Sequence, residues 1–484
     1  MGWTRVVPLG LAAAVGLAFA ACDDPPRTAG SDAPAGPEAA AIVEEAFLDT
    51  VQERTFDWFW ETTNPRNGLT PDREPDPPFS SIAAVGDALT AYPIGVERGW
   101  VSREDARDRT LTTLRFFWEL PQGPDSTEVG GHRGFFYHFL DMVTGLRHVP
   151  TELSTIDTTI LLAGILFAAG YFDGDHPDEA DIRALADSLY RRVDWQWAQD
   201  GELTPRMGWR PGEGYGPARW EGYNEAMLLY VLALGSPTHP LPAESWDAWT
   251  STYEWDEFQG LEFVQFAPLF GHQYSHMWID FRGIRDDYMR ERGIDYFENS
   301  RRATLAQRAY ATENPMGWKG YDAEVWGLTA SDGPAGVARQ VDGEERRFHR
   351  YWARGAAAGD IRDDGTIAPT AAGGSVPFAP EIAVPALKEM RERYGDDLFT
   401  EYGFLDAFNP TFTFTDVELV RGRVDPERGW FAANYLGIDQ GPIIVMIENY
   451  RSGLVWDVMK ESPHVVRGLC RAGFTGGWLE GRCE

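Results

Sequence analysis

Cysteine is scarce, with three residues in 484, too few for a disulfide-built scaffold or a cysteine-rich metal centre. Lysine is equally rare: Lys319, Lys388 and Lys460 stand alone, and the other basic residues are arginine. Against 75 Asp and Glu, the 43 basic residues leave a formal charge of −32. Such a field repels nucleic acid and anionic polymers and leaves a neutral ligand as the better partner. Strand-like alternation is sparse; Thr411–Val420 (TFTFTDVELV) is the clearest case and reads as a short hairpin arm. No G-x-S-x-G elbow and no Walker or Rossmann glycine pattern is present. His272 and His276 are four apart but lack the Glu of HExxH. FDGDHPDEADI has neither the sixth-position Gly nor the twelfth-position Glu of a calcium loop. No metal and no cofactor are expected.

What is present begins with a processing segment. Arg5 precedes an apolar stretch, Val6 to Ala21, that is short for a membrane span and ends FAAC at Cys22. Small residues before a cysteine predict a lipoprotein signal over residues 1–22 with Cys22 lipidated; ordinary secretory cleavage is the alternative. Residues 23–41 are Pro-, Gly- and Ala-rich and read as a tether, leaving 42–484 as a single domain. No later apolar stretch is long and uncharged enough to span a bilayer. The chain is thus expected to be exported, anchored to a membrane by lipid and monomeric. In an oxidising compartment the remaining Cys470 and Cys483 are expected to pair.

Helical periods dominate. They predict helices over Ala39–Thr62, Ser81–Ala91, Arg103–Leu120, Ser154–Phe172, Glu179–Trp197, Glu221–Leu234, Ser245–Trp255, Ile284–Ala311, Ala379–Tyr394 and Pro442–Lys460. Within them Thr158–Ala169, Ala226–Leu234 and Ile443–Ile447 are apolar nearly all round. A helix without a polar face must be buried on every side. Buried helices alternating with amphipathic ones predict an all-α fold of two concentric layers, an (α/α)6 barrel with long loops and few short strands.

Each buried helix carries an acid near its N-terminal end: Asp157, Glu225 and Asp439. Parallel inner helices would bring the three to one mouth. Glycoside hydrolysis needs two carboxyls, one protonated and one ionised. Each also has a plainer reading. Ser154 and Asp157 form a capping-box pattern. Glu221 and Glu225, four apart, would share a helical face, where one could turn to solvent. Asp439, flanked by Gly437 and Gly441 before Pro442, resembles a helix cap held ionised by the helix dipole. Three polar, aromatic clusters offer cleft residues for stacking on and hydrogen bonding to sugars. GHRGFFYHFLD supplies Arg133 and Tyr137; FGHQYSHMWIDFR supplies His276, Trp278 and Asp280; GWKGYDAEVWGLTASDGP supplies Trp326 and Asp332. Glu221, Tyr223 and Trp430 join them as candidate substrate-binding residues.

STIDTTILLAG, EGYNEAMLLYVLALGSPTHPL, PLFGHQYSHMWIDFR, VWGLTASDGP and ANYLGIDQGPIIVMIENYRSG together resemble the bacterial glucoamylase-like domain, which includes the endo-β-1,2-glucanases of glycoside hydrolase family 144. The resemblance runs in order from about Phe47 to Lys460. It implies an (α/α)6 barrel and hydrolysis of β-1,2-glucan with inversion at the anomeric carbon. It also implies Glu225 as acid, Asp439 as base or base-orienting carboxylate, and Asp157 as a further pocket acid. The expected function is therefore endo-acting glucan hydrolysis on a neutral glucan or oligosaccharide. The rivals are a transglycosylase or exo-acting β-glucosidase on the same fold, a polysaccharide lyase, and a non-catalytic sugar-binding lipoprotein.

Overall fold

The computed structural model describes residues 37–484, apart from 76–78, 149 and 484, with side chains described from Ile42 onward. Residues 44–484 form one compact unit. The signal segment, Cys22 and most of the tether lie outside the described residues; helix begins at Pro37, inside the stretch read as tether.

Among the described residues, six helical hairpins build two layers. The outer helices are α1 (Pro37–Thr62), α3 (Arg103–Glu119), α5 (Pro177–Arg192), α7 (Glu244–Thr250), α9 (Tyr296–Glu313) and α11 (Pro380–Tyr394). Each is followed by an inner helix: α2 (Ile82–Arg98), α4 (Thr155–Tyr171), α6 (Met227–Gly235), α8 (Phe270–Trp278), α10 (Pro369–Gly373) and α12 (Gly437–Arg451). The inner six close a ring in which α2 packs on α4, α4 on α6, α6 on α8, α10 on α12, and α12 on α2. Gln273 on α8 joins that side to α10 by donating to Ala371 O (2.8 Å) and Ser375 Oγ (2.9 Å). This is the all-α double-layer barrel expected from the alternation of helix character. All nine residues of α6 are buried. The tightest crossing is α2 on α4: a Cβ on Gly86 would lie 2.4 Å from Ile160 O, and one on Gly164 would lie 2.0 Å from Gly86 O. Only glycine lets these two backbones approach so closely.

Several boundaries differ from expectation. Helix α6 starts at Met227, and Glu221–Ala226 is a turn, so Glu221 and Glu225 do not share a helical face. The stretch 284–311 is split at Gly293, whose left-handed φ of 76° caps Asp287–Arg292. Gly453, with φ of 77°, likewise separates α12 from the helix Leu454–Lys460. Thr411–Val420 forms no strand. Helix α12 begins at Gly437, five residues before Pro442. Proline has no N–H and leaves the carbonyl four residues earlier without its helical donor. That carbonyl is Ile438 O, and the Tyr274 hydroxyl lies 3.4 Å away and donates to it.

Short strands fasten loops at the N-terminal end of the inner ring. β1 (Arg73–Glu74) pairs with β6 (Tyr435–Leu436), β2 (Phe79–Ser81) with β3 (Phe139–Asp141), and β4 (Ala330–Ser331) with β5 (Trp352–Ala353), all antiparallel. Cys470 and Cys483 are joined by a disulfide with a Cα–Cα distance of 5.3 Å. No helix among the described residues is long and apolar enough to cross a membrane.

Candidate active site

The inner helices run parallel, and their first residues meet at one mouth. A cavity of about 280 Å³ there is walled by Ser81, Asp157, Glu225, Phe270 and Ile438, from the N-terminal ends of five inner helices. The loops and short strands add Asp72, Arg73, His138, Phe139 and Tyr351, and α8 adds Tyr274. A larger cavity, about 930 Å³, lies at the opposite end, where Arg98, Gly170 and Ser452 mark the C-terminal ends of α2, α4 and α12. The smaller one is the candidate active site, because the acids of unusual protonation gather there.

Two chains of charged groups flank it. On one side Arg210 donates to Glu152 (2.9 Å), Glu152 meets His138 Nδ1 (3.1 Å), and His138 Nε2 lies 3.6 Å from Asp157 Oδ1. Burial pulls the His138 imidazolium pKa down, but Asp157, Glu152 and Asp72 together outweigh it and raise it to about 9. The hydrogen bond from His138 holds Glu152 at about 2. Ser154 is the cap, accepting from the Asp157 N–H at 3.2 Å, and its hydroxyl donates to the carboxylate of Asp157, which faces the cavity. On the other side Arg73 bridges Asp72 (2.9 Å) and Asp332 (2.7 Å), and Asn434 donates to Asp332 at 3.0 Å. The backbone N–H of Asp332 then donates to Asp406 Oδ2 at 2.7 Å, and the side chain of Asp406 is hydrogen-bonded to Asp439.

That last contact corrects the expectation for Asp439. The acid does sit in the first turn of a helix, but the dipole does not win. Burial, then Asp406 and Asp332, push its pKa well above the ordinary carboxylate value. Burial and Asp332 also raise Asp406. No N–H or O–H reaches Asp406 Oδ1 or Asp439 Oδ2 in the fold, and one proton shared between the two carboxyls would satisfy both. Two buried like charges in contact cannot both ionise. Glu225 stands in the turn before α6, its carbonyl accepting from Ser275 Oγ at 3.0 Å. Glu225 is half-buried in the cavity wall, and burial first, Asp157 second, raise its carboxyl to about 7. Tyr274 lies in the field of Asp439, Asp87 and Glu225 together.

Of the sequence candidates, Asp157 and Glu225 are thus brought together in the cavity wall, with Asp439 and Asp332 buried behind it beside Tyr351. The rest are not. Arg133 sits exposed at the tip of a tight turn, with φ of 57°, and pairs with Asp194. Tyr137 is buried under the Arg147 guanidinium. Glu221 and Tyr223 line a separate cavity of about 190 Å³ with Gln265 and Asp360. His276 is wholly buried between Phe281 and Phe378, and burial lowers it to about 3. Trp278 is in the core, donating to Thr90 Oγ1 at 3.1 Å. Asp280 is spent on Arg282 (2.7 Å) and Lys460 (2.9 Å). Trp326 and Trp430 are fully buried, the latter donating to Arg421 O at 2.8 Å. Polar and aromatic composition flagged these segments, but it does not distinguish a cleft from a well-packed core.

Sequence reasoning missed Asp72, Arg73, Asp406 and Tyr351. Asp406 carried a usable signal, a lone acid inside the apolar stretch Phe404–Phe408. So did Asp87, the lone acid in the buried part of α2, Ile82–Gly95, where burial and Asp157 keep its carboxyl well above the ordinary range. Asp72 and Tyr351 lie on loops and Arg73 on the two-residue strand β1, where no period marks them.

The sequence profile of the glycoamylase family, described as "Putative glucoamylase", matches residues 217–463, just over half of the chain. The chain belongs to the glycoamylase family. A solved structure from Bacteroides uniformis, described as a "putative glucoamylase", is 33% identical, with a TM-score of 0.76, covering 90% of this chain and 98% of that one. The endo-β-1,2-glucanase of Chitinophaga pinensis, solved with sophorotriose and glucose, is 28% identical with a TM-score of 0.77, covering 90% and 99%. Among curated proteins, an exo β-1,2-glucooligosaccharide sophorohydrolase (non-reducing end) of Parabacteroides distasonis is 28% identical over 464 residues. That match covers 88% of this chain, which spans only 58% of the length of the relative.

Proposed function

We propose that this protein is a glycoside hydrolase acting on β-1,2-linked glucan. Glu225 donates a proton to the glycosidic oxygen, and the Asp439–Asp406 pair takes one from the attacking water. The observation that carries the reading is Glu225, a carboxyl held to about 7 in the same mouth as a carboxyl pair sharing one proton. A general acid works best when its pKa lies near the working pH. The pair holds a single negative charge, which is what accepting a proton from water requires. An inverting pair leaves about 6.5–9.5 Å for that water, a retaining pair about 5 Å. Relatives named for β-1,2-glucan hydrolysis along nine-tenths of the chain support the substrate class. The net charge of −32 suits a neutral sugar.

Endo cleavage with inversion is the mode assigned first. Release of short units from a chain end is the second reading, favoured by the small cavity and by Tyr351 beside its opening. The protein is further proposed to be exported and anchored through lipid on Cys22, a reading that the Cys470–Cys483 disulfide supports. The mechanistic test is Glu225→Gln and Asp439→Asn on β-1,2-glucan, with the first-formed anomer followed by NMR. Loss of turnover in both variants and an α-anomer from wild type are expected. Undiminished turnover by Glu225→Gln would sink the assignment.

A further inference from the structure

One wall of the cavity is held by neither layer of the barrel. Tyr351 follows the surface hairpin Val337–Val341 and Glu344–Phe348, most of whose residues are exposed or half-buried. The residue as a whole is 52% exposed, while its hydroxyl end reaches inward to the field of Asp439, Asp406, Asp72 and Asp332. Burial of that end, and then these carboxylates, keep the phenol protonated. The described contacts give the hydroxyl no hydrogen-bond partner, so it is free to donate to a sugar in the cavity.

The backbone around it converges on one buried cation. Arg354, with no exposed surface, donates through Nε and Nη2 to the two oxygens of Asp364 at 2.7 and 2.9 Å. Nη2 also reaches Arg350 O at 3.1 Å, and Nη1 reaches Trp352 O at 3.3 Å, so the residues on both sides of Tyr351 are tied to it. Nη1 further donates to Ser331 O (2.8 Å) and Asp332 O (3.3 Å), the strand end that carries the Arg73-paired acid. Asp364 accepts in turn from the backbone N–H of His349 at 2.9 Å. The fit is close: a Cβ on Gly333 would lie 2.2 Å from Arg354 Nη2 and 2.3 Å from His349 O. A planar fork with five donors can hold three backbone segments at once; a lysine ammonium cannot.

We propose that Arg354 is a positioning residue for the active site. It fixes the backbone beside Tyr351 and Asp332 so that the phenol lines the cavity and the Asp332 carboxylate holds Arg73 in its wall. The substrate named in the test rests on the β-1,2-glucan reading, whereas the positioning role is measured separately.

The variants are Tyr351→Ala, the pair Arg354→Met with Asp364→Asn, which leaves no lone buried charge, the triple combination, and Arg354→Lys. On β-1,2-linked gluco-oligosaccharides, Tyr351→Ala raises KM about tenfold with kcat within about threefold, the signature of lost binding. The pair does the same, and adding Tyr351→Ala to it raises KM by less than about twofold, because contacts acting through one another are not additive. Arg354→Lys falls between wild type and the pair, and carries the test if the pair does not fold. Wild-type KM in the pair or in Arg354→Lys, or full additivity in the triple variant, overturns the proposal. Trypsin supplies a readout that needs no substrate: cleavage after exposed Arg350 should accelerate at least about tenfold in the pair or Arg354→Lys, with cleavage elsewhere unchanged. Equal cleavage also overturns it. If the wild type turns over no β-1,2-glucan while Arg350 cleavage accelerates, the substrate reading fails and the positioning role stands.

Discussion

Replacing Glu225 by glutamine should make the protein more stable at alkaline pH while removing its activity. The carboxyl lies at about 7 in the fold against an ordinary 4.5, so folding prefers its protonated form. Below pH 4.5 the group is neutral in both the folded and unfolded states and costs nothing. Between 4.5 and 7 the unfolded chain ionises and the folded one does not, so wild-type stability falls; above 7 the deficit is complete. At about 1.36 kcal/mol for each pH unit separating the two values, the deficit approaches about 3 kcal/mol. Glutamine keeps the shape and never ionises. For about 440 residues the unfolding entropy is about 0.9 kcal/mol per kelvin, so the variant should melt about 3–4 °C above wild type at pH 8.5 and at the same temperature at pH 4. Calorimetric scans of both proteins across that range measure the difference directly. A melting difference that does not vary with pH would refute the reasoning, because it would mean that Glu225 is not held protonated by its surroundings.

Other outcomes follow from the same structure. In wild type, kcat/KM should fall tenfold per unit above pH about 7 as free Glu225 loses its proton; a plateau to pH 9 in the pH–rate profile would exclude Glu225 as the acid. Asp406→Asn removes the carboxyl that shares a proton with Asp439, so kcat should fall while KM changes little in initial-rate assays; an unchanged kcat would exclude the pair as the base. Arg73→Met leaves Asp72 and Asp332 without their cation and should cost about 3–5 kcal/mol in urea unfolding at pH 7. Gly164→Ala forces a methyl to 2.0 Å from Gly86 O and should lower stability by at least about 1–3 kcal/mol in urea titrations, through strain across the inner ring.

The barrel was legible because burial on every side leaves a mark that local sequence cannot hide. The all-apolar runs in α4, α6 and α12 require an inner layer, and the acid at the start of each locates its mouth. The cleft was less legible. His276 and Trp278 sit on α8 like Tyr274, yet only Tyr274 faces the cavity, and the facing depends on how α8 turns against α12. The charge on Asp439 could not be read from its helix start, because the partner that overrides the dipole, Asp406, lies 33 residues away in a loop. Arg73 and Tyr351 reach the mouth through the β1–β6 and β4–β5 pairings, each joining distant segments by only two residue pairs, too short to leave a pattern.

The most direct test is the initial rate of reducing-end release by the purified full-length protein from β-1,2-, β-1,3- and α-1,4-glucans at equal mass concentration. Release from β-1,2-glucan alone, absent in Glu225→Gln, is the result expected of a hydrolase with this acid in this mouth. A higher rate on either other glucan, or no release from any of the three, would contradict it.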